Sequence, residues 1–556
     1  MKEYYVDGKV FTSARGALYA EAFAVEDGRF TEVGTAQELL RQAAAETEAG
    51  KEVRVHDLNG RTVIPGLIDA HMHPSMLADY SKRISALPPA VRSIEDLIGA
   101  IQAKRAEQGA DEWITGWGFD EGKLAEHRPP TRWDLDRGAA DVPVEIYRVC
   151  GHIAYVNSKA LELAGITRET PDPVGGTIGR DENGEPNGIL YETADHLIEP
   201  VRPLVSFEES VANMVDLGRL LSSQGIVAVT DMGDDSGSRI VQIYREAEKR
   251  GLAQDVAVYL TWVRVRREEG FHITADERDR AAKIRVAGLK LIGDGSYSGH
   301  TASVDVPYLG TDDYGIDVCT DEDITSAIQF AKENGIQVST HAMGERAISR
   351  MLGFLKDEPN WIPQAAGRRS TQENDVLPHA RLEHVTEPSE ASQKLAAELG
   401  VPFATQPDFF FAEIESYLMN LGPERTRETY PLRTELARGV KVALSTDAPA
   451  TSWAVPSDPF INMQAVVTRR AWDGTDCGAQ EAIDIETAVQ LYTREAAVIS
   501  DLPDLGVIRP GARAAFVVLD QDLFTVAPAE IGSVKPEATY IDGKKVFSAT
   551  GSSETE

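Results

Sequence analysis

The stretch VIPGLIDAHMHP, residues 63–74, is an apolar run that ends in two histidines. The run Val63–Ala70 predicts a buried strand with His71 and His73 at its end. Side chains two residues apart on a strand point the same way, so both imidazoles face one point. Two neutral imidazoles at this spacing suit a divalent transition metal. A lone His-x-His pair leaves a metal role and a structural role equally open.

Outward from this stretch, helix, glycine and strand alternate along the chain. The segment TDEDITSAIQFAKENG predicts a helix that follows Thr320, its N-cap, and ends at Gly335. Asp323 stands at the capping-box position of this helix. The strand IQVST comes next, followed by His341. The same order recurs in three more segments: EASQKLAAELG before VPFAT and Gln406, RTELARG before VKVALST and Asp447, and SSQG before IVAVT and Asp231.

The strands of these units are apolar on both faces, as buried parallel strands are. Alternating helices and parallel strands of this number favour an α/β fold with a TIM-like (β/α)8 barrel over an open sheet. Such barrels place their active sites where the strands end. His341, His384 (after RLE) and Asp447 follow strands here, so they join the His-x-His pair as candidate ligands. An alternative for Asp447 is a helix N-cap, a common position for aspartate.

Lys290 stands in an otherwise apolar strand run, Gly288–Ile292. Burying an ammonium group is costly, so this lysine needs a partner or a chemical change. Reaction with CO2 would convert it to a carbamate able to bridge two metals. A buried salt bridge, with Asp294 as the nearest carboxylate in sequence, explains the residue equally well.

The two ends of the chain carry similar segments, YYVDGKVFTS (4–13) and TYIDGKKVFS (539–548). Each places an Asp-Gly turn between β-branched or aromatic runs, which predicts a hairpin. A third turn of this kind is predicted at Asp27-Gly28. We therefore expect a small β-sandwich built from both termini, with the barrel between them.

The expected domain boundaries follow from these patterns. Residues about 81–205 are rich in Pro and Gly and too long for a barrel loop, so they predict an insertion, a subdomain or lid near the barrel mouth. The remaining ranges are 1–62 for the first part of the sandwich, 63–500 for the barrel and 501–556 for the second part of the sandwich.

Charge and cysteine content narrow the class of protein. The 556 residues hold 56 Lys and Arg against 89 Asp and Glu, a net charge of −33. Such a surface repels phosphate backbones and anionic membranes, so we expect no nucleic-acid or membrane partner. Cys150, Cys319 and Cys477 fit neither a disulfide framework nor a Cys-rich zinc site. No segment approaches about 20 apolar residues and the first residues carry no apolar signal region, so we expect a cytoplasmic protein.

A series of ordered motifs runs over nearly the whole chain: VIPGLIDAHMHP, WITGWGFDE, PPTRWDLD, CGHIAYVNSKALELAGI, DPVGGTIGRDENGEPNGIL, KLIGDGS, THAMGERAI, RLEHV, LSTDAP and GVIRPGARAAFVVLD. These motifs resemble the amidohydrolase superfamily, in the branch of YtcJ-like proteins and N-substituted formamide deformylase (amidohydrolase family 3). The resemblance implies the barrel with a split sandwich and a hydrolase acting on a C–N bond. The family usually has Asp where Glu345 and Ala515 stand, and the first departure puts the support of His341 in doubt.

The resemblance also implies roles for the candidate ligands. They would hold one or two divalent metals, zinc above all: His71, His73 and Asp447 at the first, His341 and His384 at the second, and carbamylated Lys290 between them. A metal-activated water would attack a carbonyl, and Asp447 would take its proton and pass it to the leaving nitrogen.

Substrate contacts are expected from residues in the matched segments: Trp117, Asp120, His152, Gly295, Ser296 and Gln406. Core packing is the alternative for the aromatic residue Trp117 and for the run Phe409–Phe411, and a structural role is the alternative for His152.

Two other classes of function are alternatives to an amidohydrolase. A mononuclear deaminase usually carries a glutamate three residues after the histidine that corresponds to His341. That position is Gly344 in this chain. A third possibility is a catalytically silent barrel that binds a small molecule or a partner. Such a protein is expected to lose Asp447 or the His-x-His pair, and this chain keeps them. The expected partner is a small-molecule substrate, and the sequence leaves a monomer and a homodimer both open.

Overall fold

The computed structural model describes residues 1–109, 112–148, 153–173, 176–203, 205–233, 237–363, 376–502 and 504–549. The chain divides into two compact units. The first comprises Met1–Pro74, Met214–Ala448 and Ser457–Glu556, and the second comprises Ser75–Asn213 and Pro449–Pro456.

In chain order, the strands are β1 Lys2–Val6, β2 Lys9–Phe11, β3 Tyr19–Ala20, β4 Ala22–Glu26, β5 Arg29–Gly34, β6 Val53–Asp57, β7 Thr62–Pro65, β8 Leu67–Met72, β9 Ile84–Ser85, β10 Ile114–Phe119, β11 Val144–Arg148, β12 Ile153–Val156, β13 Gly176–Arg180, β14 Pro186–Glu192, β15 Ile226–Asp231, β16 Asp255–Thr261, β17 Ile284–Ile292, β18 Gln337–Ala342, β19 Ala380–His384, β20 Phe403–Thr405, β21 Val442–Leu444, β22 Phe516–Leu519, β23 Pro536–Ile541 and β24 Lys544–Ser548.

The α-helices are α1 Ala36–Glu48, α2 Pro74–Tyr80, α3 Ile94–Glu107, α4 Arg132–Gly138, α5 Ser158–Ala164, α6 Phe207–Ser223, α7 Arg239–Lys249, α8 Trp262–Val265, α9 Asp321–Asn334, α10 Glu345–Leu355, α11 Glu390–Leu399, α12 Asp408–Ala412, α13 Ile414–Thr426, α14 Leu432–Ala437, α15 Pro459–Thr468, α16 Ile485–Leu491 and α17 Arg494–Ile499. None of these helices combines the length and the apolar character needed to cross a membrane.

Eight strands form the barrel of the first unit, in the order β8-β15-β16-β17-β18-β19-β20-β21. Every hydrogen-bonded pair of neighbours is parallel. Backbone hydrogen bonds from Asp447 N to His71 O and from His73 N to Ala448 O, both 2.8 Å, join the segment after β21 to β8. The predicted α/β barrel is therefore confirmed, and the carboxyl ends of its strands meet at one mouth.

Local capping places one barrel helix where the sequence predicts it. The Thr320 side chain accepts a hydrogen bond from Asp323 N, and the Asp323 side chain accepts one from Thr320 N, so the capping box of α9 is complete. Gly335 ends the helix with φ 63°, in the left-handed region that glycine adopts without strain. The strand β18 follows and carries His341.

The strand predicted over Val63–Ala70 is in fact two strands. Residues 62–65 form β7 in a sheet of the sandwich, and residues 67–72 form β8 in the barrel. Gly66 lies between them, and a Cβ there would be only 2.5 Å from Val227 Cγ1. The chain therefore passes from one sheet to the other at a glycine, because a side chain at this position would clash with Val227.

Both termini contribute to the sandwich of the first unit. Its two sheets have the strand orders β5-β4-β1-β6 and β24-β23-β22-β7-β2-β3. Phe516 of the second sheet packs against Tyr5 and Phe23 of the first, with ring centroids 5.2 and 4.9 Å apart. The predicted sandwich from both chain ends is confirmed.

Two of the three predicted hairpins form. The turns at Asp27-Gly28 and Asp542-Gly543 join antiparallel neighbours, β4 with β5 and β23 with β24. The turn at Asp7-Gly8 instead joins β1 and β2, which lie in different sheets, so the hairpin predicted there is wrong. Each of the two strands pairs with other partners: β1 with β4 and β6, and β2 with β3 and β7.

The second unit has a sheet of its own, in the order β13-β14-β12-β11-β10-β9. Its apolar core includes Leu97 and Ile101 of α3 and Ile146 of β11, all without solvent exposure. The range Ser75–Asn213 contains the whole segment, about 81–205, in which the sequence predicts an insertion.

Candidate metal centre

Imidazole and carboxylate groups converge where the barrel strands end. The Nε2 atoms of His71 and His73 lie 3.1 and 3.2 Å from Asp447 Oδ1. The ring centroid of His384 is 4.8 Å from that of His71 and 4.2 Å from that of His341. One ligand atom each from His71, His384 and Asp447 lies within 4.8 Å of the others. The structure thus brings the four histidines and the aspartate predicted from the sequence into one cluster.

Several polar atoms of this cluster have no hydrogen-bond partner among the described residues. They are His71 Nε2, Lys290 Nζ, His384 Nδ1 and Asp447 Oδ1, all on buried side chains. His71 Nε2 and Asp447 Oδ1 lie 3.1 Å apart, but this contact does not have the geometry of a hydrogen bond. Leaving a buried polar atom unpaired costs about 1–3 kcal/mol, so such atoms need a further ligand. Imidazole nitrogens and a carboxylate oxygen are donors that divalent transition metals prefer. The residues present therefore fit a metal ion.

Hydrogen bonds fix which ring nitrogen of three histidines remains available. His71 Nδ1 is 2.7 Å from Glu383 Oε2, and His73 Nδ1 is 2.7 Å from the carbonyl of Gly233. A neutral imidazole that donates through Nδ1 keeps its lone pair on Nε2, which is the atom facing Asp447. His341 is arranged in the opposite sense, since its Nε2 is 2.8 Å from the carbonyl of Gly295.

Buried carboxylates next to the cluster connect the segments that carry the candidate ligands. Asp69 accepts hydrogen bonds from the Thr446 hydroxyl (2.6 Å) and from His71 N (3.1 Å). It therefore ties together the two segments that carry His71 and Asp447. Asp231 accepts one from Gly233 N at 2.8 Å and so holds the loop whose carbonyl contacts His73.

Asp294 likewise connects the segments on either side of His341. It accepts backbone N–H groups of Ser303, Met343 and Gly344 at 2.9–3.0 Å, which joins the loop after β17 to the end of β18. Burial raises the pKa of Asp294 to about 7 despite these hydrogen bonds.

The roles of Asp69 and Glu383 were not predicted from the sequence. A signal was available, because each is a carboxylate inside a strand, one or two positions before a candidate ligand. An acidic side chain on a buried strand needs partners, and those partners are found at the centre.

Burial and neighbouring charge set the ionisation of the centre. Burial alone would raise the pKa of Asp447, but His71 and His73 outweigh it and hold the pKa well below its usual range. Burial and the nearby Lys290 lower the pKa of His341 to about 4. A carboxylate that stays ionised beside a neutral imidazole is the state that binds a metal.

Lys290 has no ion-pair partner within the described chain. Its side chain is 3% exposed, and burial lowers its pKa to about 8. Asp294 is occupied by backbone N–H groups, so the salt bridge considered for Lys290 does not form.

Two candidate ligands have a strained backbone. The φ angles of His384 and Asp447 are 73° and 52°, in the left-handed region that non-glycine residues rarely adopt. Such strain costs about 1–3 kcal/mol and tends to collect at functional sites. No helix of the described chain begins at Asp447, so the N-cap alternative is wrong.

The candidate substrate residues of the barrel have different surroundings. The Gly295 carbonyl contacts His341, and Ser296 Oγ accepts a hydrogen bond from Gly299 N. Gln406 is fully buried: its Nε2 donates to Ser445 Oγ at 2.8 Å, and its Oε1 has no partner among the described residues.

Two more candidates lie in the second unit. Trp117 is 5% exposed and packs on Tyr80 with ring centroids 5.1 Å apart, as expected of a core residue. Asp120 lies 3.8 Å from Arg148. The remaining candidate, His152, lies outside the described residues.

A parallel eight-stranded barrel with histidines and an aspartate at its mouth defines a class, the metal-dependent hydrolases of the barrel type. The model of the amidohydrolase family matches residues 54–547, so this chain belongs to that family.

Two curated relatives match along almost their whole length. The YtcJ protein of Bacillus subtilis (strain 168) is 28% identical over 98% of this chain and 99% of its own. The N-substituted formamide deformylase of Arthrobacter pascens is 28% identical over 96% of each chain.

Solved structures share the fold. An uncharacterized metal-dependent hydrolase from Pyrococcus furiosus matches with a TM-score of 0.70 and 26% identity, covering 95% of this chain and 100% of its own. A second, from Pyrococcus horikoshii, matches with a TM-score of 0.71 and 24% identity, covering 95% and 99%.

Proposed function

We propose that this protein is a metal-dependent hydrolase that cleaves the C–N bond of a small amide, with N-substituted formamides as the first class to test. The observation that carries the proposal is the set of buried, unpaired donor atoms at the barrel mouth. The relative named for deformylation of N-substituted formamides supports the choice of substrate class.

The proposed ligands would hold up to two divalent ions. Zinc is the proposed ion, since imidazole and carboxylate ligands suit it. His71, His73 and Asp447 would hold the first ion, His341 and His384 would hold the second, and Lys290, as a carbamate, would contribute to both.

Lys290 is suited to react with CO2. With a pKa of about 8, roughly a tenth of the amine is neutral at pH 7, and a neutral amine is the nucleophile. Its nitrogen forms a bond to the carbon of CO2 and loses one proton, giving a carbamate anion. The absence of a carboxylate partner within the described chain leaves the amine available for this reaction.

Asp447 is the proposed general base and acid. A bound divalent cation supplies acidity to water and polarises a carbonyl. The carboxylate of Asp447 is ionised at neutral pH and would take the proton of the attacking water. The water oxygen bonds to the carbonyl carbon, the C–N bond breaks, and Asp447 returns the proton to the leaving nitrogen.

The deaminase alternative is disfavoured at residue 344, where such an enzyme would carry its glutamate. A Cβ at Gly344 would lie 2.0 Å from the Ser303 carbonyl, so a glutamate does not fit there. Glu345, the next residue, accepts hydrogen bonds from the hydroxyls of Ser389 (2.8 Å) and Ser392 (2.6 Å). Its carboxylate therefore contacts the first turn of α11.

The test is an assay of N-substituted formamides and simple amides with the enzyme as purified, after removal of metal and after return of zinc. We expect turnover that is lost on metal removal and restored by zinc. A protein that binds zinc and hydrolyses none of these amides would contradict the proposed substrate class.

A further inference from the structure

Apart from Asp447, Glu383 is the only carboxylate among the described residues that contacts a ring nitrogen of His71 or His73. Its Oε2 lies 2.7 Å from His71 Nδ1, and both side chains are almost fully buried, at 0% and 1% exposure. A charge-assisted hydrogen bond of this length in a dry interior is strong. It holds the His71 ring in one orientation and leaves Nε2 facing Asp447.

Glu383 accepts three further hydrogen bonds, two from Arg381 and one from Ser339. Arg381 Nε donates to its Oε1 at 2.6 Å, and Arg381 Nη2 donates to its Oε2 at 3.0 Å. The Ser339 hydroxyl donates to Oε1 at 2.7 Å.

Arg381 also forms a hydrogen bond to the strand that carries His71. Its Nη2 donates to the carbonyl of Ala70 at 2.6 Å, directly before His71 in β8. The same guanidinium therefore fixes both the backbone of His71 and the carboxylate that orients its ring. The strands β8, β18 and β19 contribute one polar residue or more each to this network.

We infer that Glu383 is a positioning residue, which sets the metal affinity of the centre by holding His71 in the Nε2-binding tautomer. The inference rests on the proposed function, since it concerns the ion proposed there. An ion pair that serves stability alone would not need an oxygen on a ligand histidine, whereas Oε2 of Glu383 contacts both Arg381 and the ring nitrogen of His71.

The test compares Glu383→Gln with a matched control, Glu145→Gln. Glu145 is also buried, at 1% exposure, and is also paired with an arginine, Arg202, but it lies in the second unit. Metal-free protein is titrated with Zn²⁺ in competition with a chromogenic chelator. Thermal unfolding of the metal-free variants shows how much stability each has lost.

We expect Zn²⁺ affinity to fall roughly 10- to 100-fold in Glu383→Gln and to stay within about twofold of the parent in Glu145→Gln. The visible spectrum of the Co²⁺-loaded protein should also change in the first variant and not in the second, because a ligand ring is reoriented. Unchanged Zn²⁺ affinity and an unchanged Co²⁺ spectrum in Glu383→Gln would overturn the inference.

A milder variant keeps the inference testable if Glu383→Gln fails to fold. Ser339→Ala removes one of the donors to Glu383 and leaves both charges in place. We expect a Zn²⁺ affinity a few-fold below that of the parent, and an affinity equal to the parent would count against the role of Glu383. A parent protein that binds no Zn²⁺ would instead contradict the proposed function itself.

Discussion

Asp447 combines three properties that are rarely found in one aspartate. It is buried, it has a left-handed backbone, and its Oδ1 lies within 3.2 Å of two histidine nitrogens. The left-handed backbone directs this carboxylate toward the histidines at an energetic cost. A side chain held in this way is suited to bind a metal and to move a proton at the same time.

Replacing Asp447 tests the proton-transfer step. We expect Asp447→Asn to fold and to keep much of its metal, since the amide oxygen retains the shape of the ligand. Turnover should fall by roughly 10²–10⁴-fold, the usual contribution of general acid–base catalysis. Measurements of kcat and metal content on the same preparation check this, and a kcat near that of the parent would refute the role of Asp447.

Lys290 gives a second prediction at this scale. Without its nitrogen no carbamate can form, so we expect Lys290→Ala to bind less metal and to lose activity. Short carboxylates such as acetate or propionate should restore part of both, because they fill the same space with the same charge. Metal content that equals that of the parent would mean that Lys290 only fills space in the barrel.

Secondary-structure elements show where sequence reasoning is sufficient. The helix α9 forms as predicted because its signals, Thr320, Asp323 and Gly335, act within one or two turns of the chain. The break of the first strand at Gly66 depends on Val227, which is distant in sequence, and no local pattern reveals it. The turn at Asp7-Gly8 is local too, but which sheet each strand joins is decided by strands elsewhere in the chain.

The same distinction holds for the centre. His71, His73, His341, His384 and Asp447 could be predicted because each follows a recognisable strand. The contact of Asp69 with Thr446 and that of Glu383 with His71 could not, since each joins residues that are distant in sequence. Which nitrogen of each imidazole is available also depends on those contacts.

The helix α14 carries a buried carboxyl group that makes stability depend on pH. Burial, together with the charge of Glu481, raises the pKa of Glu435 to about 8. A carboxyl whose pKa is raised on folding favours the folded state at low pH, and this contribution is lost as pH rises from about 4.5 through 8. We expect Glu435→Gln to raise the melting temperature relative to the parent at pH 9 and much less at pH 5.

Thermal unfolding followed by circular dichroism at the two pH values checks this prediction. The variant Glu428→Gln, at an exposed position between α13 and α14, serves as the control and should change neither melting temperature appreciably. A Glu435→Gln variant that is destabilised equally at pH 5 and pH 9 would contradict the assignment.

At the scale of the whole molecule, metal binding and folding should be coupled. The proposed ligands come from strands β8, β17, β18 and β19 and from the segments after β8 and β21, so one metal centre would join most of the barrel. A ligand that binds only the folded state at 1,000 times its Kd adds about 4 kcal/mol of stability. We therefore expect chelation to lower the melting temperature of the parent, and zinc to restore it.

Calorimetry of the metal-free and zinc-loaded protein checks this coupling. A Lys290→Ala variant provides the comparison, since its response to zinc should be smaller. Melting temperatures that do not respond to chelation or to zinc would show that the centre does not hold a metal in the folded protein.

The most direct measurement is the metal content of the purified protein, determined together with turnover of N-substituted formamides. We expect close to two divalent ions per chain, with activity that follows metal content on removal and return. A protein that contains no metal, takes up none from zinc or manganese solutions and stays inactive would contradict the assignment of a metal-dependent hydrolase.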